Sequence, residues 1–122
     1  MTNAVEVTQG DVFSLRFPLL DPSGQPASYV GTPAAKFALG KNPYIAPGET
    51  PILSKSSPAS GCRVVQEAVN ALQTWVVYVD FVKVDTLGNA NVPAGQHYYE
   101  LKANENTVAT GSLMIQPTLI TS

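Results

Sequence analysis

Pro93-Ala94-Gly95-Gln96-His97-Tyr98-Tyr99-Glu100-Leu101-Lys102, followed by the run Val108 to Ile115, is the stretch that decides the fold class of this chain. Gly95 ends a loop, and the residues after it alternate between apolar and polar, as on a half-buried strand. Ala103-Asn104-Glu105-Asn106-Thr107 then reverses the chain into a second strand. His97, Tyr99 and Leu101 share one parity, as do Leu113 and Ile115, so these residues are expected to face a core. Such a pair is the closing hairpin of an antiparallel sandwich.

Working back toward the N-terminus, Thr74-Trp75-Val76-Val77-Tyr78-Val79-Asp80-Phe81-Val82 is the strongest strand signal, dense in β-branched and aromatic residues. Trp75, Val77, Val79 and Phe81 form one face. Val76, Tyr78, Asp80 and Val82 form the other, which is apolar enough to suit a covering loop or partner, unless it is ordinary apolar surface. Glu6-Val7-Thr8 reads as a short first strand ended by Gln9-Gly10-Asp11. The segment Val12 to Leu20 then alternates, with Phe13, Leu15, Phe17 and Leu19 inward. Asp21-Pro22-Ser23-Gly24-Gln25-Pro26 is a turn by composition, with Asp21 bonding the local backbone.

Pro33 to Leu39 reads as a third strand with Ala35, Phe37 and Leu39 inward. Gly40 to Pro51 carries three prolines and two glycines, which no ladder strand tolerates, so a long loop is expected there. Tyr44 and Ile45 within it either contact another chain or fold back over a sandwich edge. Pro51 to Lys55 and Cys62 to Gln66 look like short strands, Glu67 to Leu72 suits either a helical turn or a connection, and Asp85 to Gly95 crosses between sheets. The expected fold is therefore all-β, one immunoglobulin-like antiparallel β-sandwich domain spanning residues 1–122 with about seven to eight strands.

A chain of 122 residues suffices for one domain burying roughly two thirds of its unfolded surface. Charged residues make up only 13%, against about 25% in ordinary domains, so the surface is mostly neutral and polar. A net charge of -2 without any Lys/Arg cluster argues against a nucleic-acid partner. The N-terminal Met1-Thr2-Asn3-Ala4-Val5-Glu6 has neither a basic nor a continuous apolar region, so export by a signal peptide is not expected. The longest apolar run, around Trp75 to Val79, falls far short of the roughly 20 residues that span a bilayer, and no membrane partner is expected.

Chemistry has few places to arise. Cys62 is the only cysteine, so no intrachain disulfide is possible and the thiol is read as buried or half-buried in a strand. His97, the only histidine, would have to join any Ser/His/Asp or Cys/His arrangement, yet its parity makes it a hydrogen-bonded residue at a sandwich corner. No spacing offers a metal site, Asp80 and Asp85 do not form an expected acid pair, and Gly40-Lys41 lacks the rest of a phosphate loop. No catalytic residue, cofactor or metal is assigned, and the chain is read as non-enzymatic.

Several motifs taken in order carry a resemblance. They are Gln9-Gly10-Asp11-Val12-Phe13, Leu20 to Pro26, Val30-Gly31-Thr32 leading into Ala34 to Leu39, Pro93 to Leu101, and Gly111 to Pro117. In that order and spacing the chain resembles the small immunoglobulin-like structural modules of tailed bacteriophages, such as the N-terminal domain of baseplate upper proteins. In such modules an aromatic, commonly Tyr, stands two residues after the glycine of the late strand. His97 stands there in this chain, so a corner bond of that kind falls to imidazole.

The resemblance implies a virion protein, assembled in the bacterial host cytoplasm and docked on tail, baseplate or capsid. Baseplate upper proteins continue into a stalk or fibre, whereas this sequence stops at Ser122, so a stand-alone subunit bound in symmetric copies is expected. Its partners would be other virion proteins and copies of itself, with Tyr44, Ile45, Tyr78 and Met114 as candidate interface residues. The rival reading is a module for a cell-surface glycan or host receptor, presenting the rings of Tyr44, Tyr78, Tyr98 and Trp75. Edge strands also allow β-augmentation, with a proline at Met114 or Gln116 in the last strand as the disrupting change.

Overall fold

A computed structural model describes residues 2–41, 50–58 and 60–119. The described strands are β1 (Thr2–Thr8), β2 (Phe13–Pro18), β3 (Ala35–Gly40), β4 (Leu53–Ser56), β5 (Cys62–Val69), β6 (Leu72–Phe81), β7 (Gly95–Ala103) and β8 (Asn106–Gln116). One helical turn, α1 (Lys83–Thr86), lies in the crossover between β6 and β7. No described helix is long and apolar enough to cross a membrane.

The strands form two packed sheets, ordered β1-β8-β7-β3-β4 and β2-β6-β5. β6 faces β3 through Phe81 and Phe37, and β2 faces β7 through Phe17 and Tyr99, so the two sheets pack as an all-β sandwich. All pairs are antiparallel except β1 with β8.

Alternation along each strand decides what lies between the sheets. Ala35, Phe37 and Leu39 are buried from β3, and His97, Tyr99, Leu101 and Ala103 from β7, with Leu113 and Ile115 from β8. Cys62, Val77, Val79 and Phe81 meet them from the smaller sheet. Phe81 stacks on Phe13 at 4.6 Å between ring centroids and meets Phe37 edge-on at 5.8 Å, and Phe37 also stacks on Tyr99 at 5.6 Å. Aromatic contacts thus tie β2, β6, β3 and β7 into one core.

Two hairpins close on left-handed pairs of residues, Asn70-Ala71 (φ 51° and 65°) and Asn104-Glu105 (φ 49° and 69°). Both central residues at positive φ is the turn whose twist matches its flanking strands. Glu67 to Leu72 is consequently neither a helical turn nor a bare connection, since β5 continues to Val69 before reversing.

The first strand is longer than its sequence signal, reaching back to Thr2 because each residue to Thr8 finds a partner on β8. That pairing also corrects the edge assignment. β8 lies between β1 and β7, so a proline at Met114 or Gln116 removes an interior ladder bond and unfolds sheet rather than blocking a docking edge.

Candidate functional site

The outer face of the three-stranded sheet gathers two arginines, two carboxylates, a tyrosine and a serine. Ser14 and Arg16 on β2, Tyr78 and Asp80 on β6, and Arg63 and Glu67 on β5 share that face by register. Arg63 donates from Nε and Nη2 to both oxygens of Asp80, at 2.7 and 2.9 Å, and Ser14 donates to the same carboxylate at 2.6 Å. The Arg63 guanidinium lies 4.7 Å from the centre of the Tyr78 ring. Tyr78 donates its hydroxyl proton to Glu67 and accepts from Arg16 Nε, while Arg16 Nη2 reaches Glu67 at 3.2 Å.

Two cations and two anions thereby neutralise one another. Arg63 and Ser14 hold the Asp80 carboxyl below its ordinary range, as the Tyr78 hydroxyl, followed by Arg16, does for Glu67. Both groups favour the folded state above the ordinary carboxylate range, and their contribution is lost as pH falls below that range through their lowered folded values. Val76 lies fully buried on the same face, flanked in register by Pro18 and Val65. Val82, assigned to the same face, lies past the end of β6 and is half exposed, so full burial on that face is confined to its Val76 end.

Of the candidate interface residues, Tyr78 is half-buried with its hydroxyl engaged in this network. Met114 is half-buried on the outer face of the other sheet, opposite Gln96 on β7 and Glu6 on β1. The two stand on opposite outer surfaces and do not make one patch. Tyr44 and Ile45 lie outside the described residues. A concavity of about 420 Å³ at the β3–β4 end of the larger sheet is lined by Lys36, Ala38, Pro51, Ser54, Glu100 and Lys102 among others.

The chain matches no protein-family model and no curated protein sequence. What its side chains can do follows from their geometry. His97 is buried and donates from Nε2 to the carbonyl of Pro93 at 2.7 Å, four residues upstream, as expected for a corner bond. Its Nδ1 is buried without a hydrogen-bond partner among the described residues. No group of three His, Cys, Asp or Glu side chains is gathered for a metal among those residues.

A largely buried ion pair, each member keeping some exposure, has no counterpart in the sequence pattern. Lys55 Nζ on β4 lies 2.9 Å from Asp85 Oδ2 on α1, with the side chains only 10% and 14% exposed. Asp85 also accepts the Val82 N–H at 2.8 Å, and Lys55 Nζ sits 5.2 Å from the centre of the Phe81 ring. Nearby, the Thr86 hydroxyl accepts the Gly10 N–H at 2.8 Å, fastening the first turn to the crossover. Thirty residues separate Lys55 from Asp85, so nothing local in the sequence signals the pair.

Cys62, expected as a buried or half-buried strand thiol, is fully buried in β5, and burial pushes its pKa up to about 11. At pH 8 it is a protonated thiol, not the nucleophilic thiolate. The folded protein is expected to leave an aromatic disulfide reagent unreacted at pH 8 for hours, then release one equivalent promptly in denaturant. Prompt colour from the folded protein would contradict this placement.

Proposed function

We propose that this chain is a non-enzymatic structural subunit of a tailed-phage virion, bound in symmetric copies to the tail, baseplate or capsid surface. The supporting observation is where the motif residues fall. Gly10 turns the chain between β1 and β2 at φ 86°, and Asp21 accepts the N–H groups of Ser23 and Gln25 in the next turn. Gly95 opens β7 at φ 130°, and His97 fastens that strand to Pro93. The residues that carry the resemblance are thus the joints of the sandwich.

The surface chemistry suits the same reading. A chain with 13% charged residues, part of them neutralised pairwise across β2-β6-β5, adds little repulsion as copies accumulate on a particle. The partners in this reading are other virion proteins and copies of the chain itself.

Immunogold electron microscopy of particles purified from the source organism, with an antibody raised against the chain, tests the proposal. Label is expected on particles, and its position on head or tail distinguishes capsid decoration from a tail or baseplate role. Uniformly bare particles would overturn the virion assignment and turn attention to glycan binding.

A further inference from the structure

The described sandwich has four edge strands, and three carry features that discourage pairing. β4 has only four residues, β2 carries Arg16 and ends on Pro18, and β5 carries Arg63 and Glu67. β1 is different. It runs for seven residues in unbroken register with β8, contains no proline or basic residue, and carries one charge, Glu6. Proteins usually blunt such an edge with proline, lysine or a bulge, because alternate residues show unpaired N–H and C=O groups to the open side.

Side chains on β1 divide cleanly. Val5 and Val7 are half-buried and pack against the core, next to the fully buried Leu113 and Ile115. Ala4 and Glu6 are exposed on the outer face. The core beneath the edge is therefore left partly open at two valines.

We propose that β1 pairs antiparallel with β1 of a second copy about a two-fold axis at Val5, joining the five-stranded sheets of the two copies. Val5 is the midpoint of Thr2–Thr8, so this register uses the whole strand. It sets Val5 against Val5 of the second copy on the core side. On the outer face it sets Glu6 against Ala4, so the two carboxylates do not oppose each other. A two-fold centred on Glu6 would place them face to face. Charge thus excludes the Glu6 register and full use of the strand favours Val5 over Ala4, while the closed symmetry leaves neither β1 edge open.

This inference stands apart from the virion reading, because it concerns the purified chain alone. Sedimentation velocity of the full chain from about 1 to about 500 µM is expected to show a monomer–dimer equilibrium. Ala4→Glu places a new carboxylate across from Glu6 at two symmetric positions and is expected to weaken the dimer about tenfold. Adding Glu6→Lys turns both contacts into opposite-charge pairs and is expected to restore it. Ala4 and Glu6 are exposed, so circular dichroism and melting should show both variants folded. A monomer throughout the concentration range, or a dimer indifferent to both variants, overturns the proposal.

Discussion

Phe37→Ala is expected to lower the unfolding free energy by about 3–5 kcal/mol, the cost of emptying a well-packed aromatic site that cannot collapse. Phe37 is 1% exposed on β3, an interior strand of the larger sheet, and its ring touches both Phe81 from the facing sheet and Tyr99 from β7. Strands on three sides hold that space open, since β3 is bonded to β4 and β7 and covered by β6. Against a total stability of about 5–15 kcal/mol for a domain, the loss is a large fraction. Urea unfolding should show a markedly lower midpoint with an unchanged slope. Phe37→Leu retains most of the volume and is expected to cost less than half as much. A loss below about 1 kcal/mol for the alanine variant would show that the ring does not organise the core.

The second large effect belongs to Lys55 and Asp85. Lys55→Met keeps the stem that packs beneath Gly61, where even a Cβ would come within 2.8 Å of it, but leaves the Asp85 carboxylate without its cation. Removing one partner from a fully buried pair costs about 3–5 kcal/mol, mostly because the remaining charge is stranded. Both side chains keep some exposure, at 10% and 14%, and Asp85 retains the Val82 N–H, so a smaller loss of about 1–3 kcal/mol is expected. Asp85→Asn strands the ammonium instead. The double variant strands neither charge, and its cost should fall short of the sum of the singles by about 1–3 kcal/mol. Strict additivity in this cycle would mean that the two groups act independently despite the 2.9 Å contact.

Which residues face the core was legible, because alternation alone dictates it. Phe13, Leu15, Phe17 and Leu19 pack on or in the core, as do Ala35, Phe37 and Leu39 and the inward residues of β7 and β8. Which strand lies beside which was not legible. Nothing in the alternation of Val5 and Val7 says that they sit against Leu113 and Ile115, so the pattern leaves the last strand at an edge that β1 occupies. The single turn α1 begins after Val82, a residue without a capping side chain, and its cap comes from Asp85 within the turn. The Tyr78 network was half legible. Sequence singled out the face but could not show that Arg16, Arg63 and Glu67 converge there from two other strands. Tertiary neighbours, not local pattern, decide such a cluster.

The parallel pairing of β1 with β8 also sets a clock. Thr2 meets Thr110, so the first strand leaves the ribosome about 100 residues before its only described partner does. At about 5–20 residues per second, that is a wait of roughly 5–20 seconds, during which a prolineless strand has neither side of its backbone paired within the domain. Contacts of such sequence separation form late and slowly. Newly made chains in the same polysome are thus exposed to one another through the segment that completes the sandwich last.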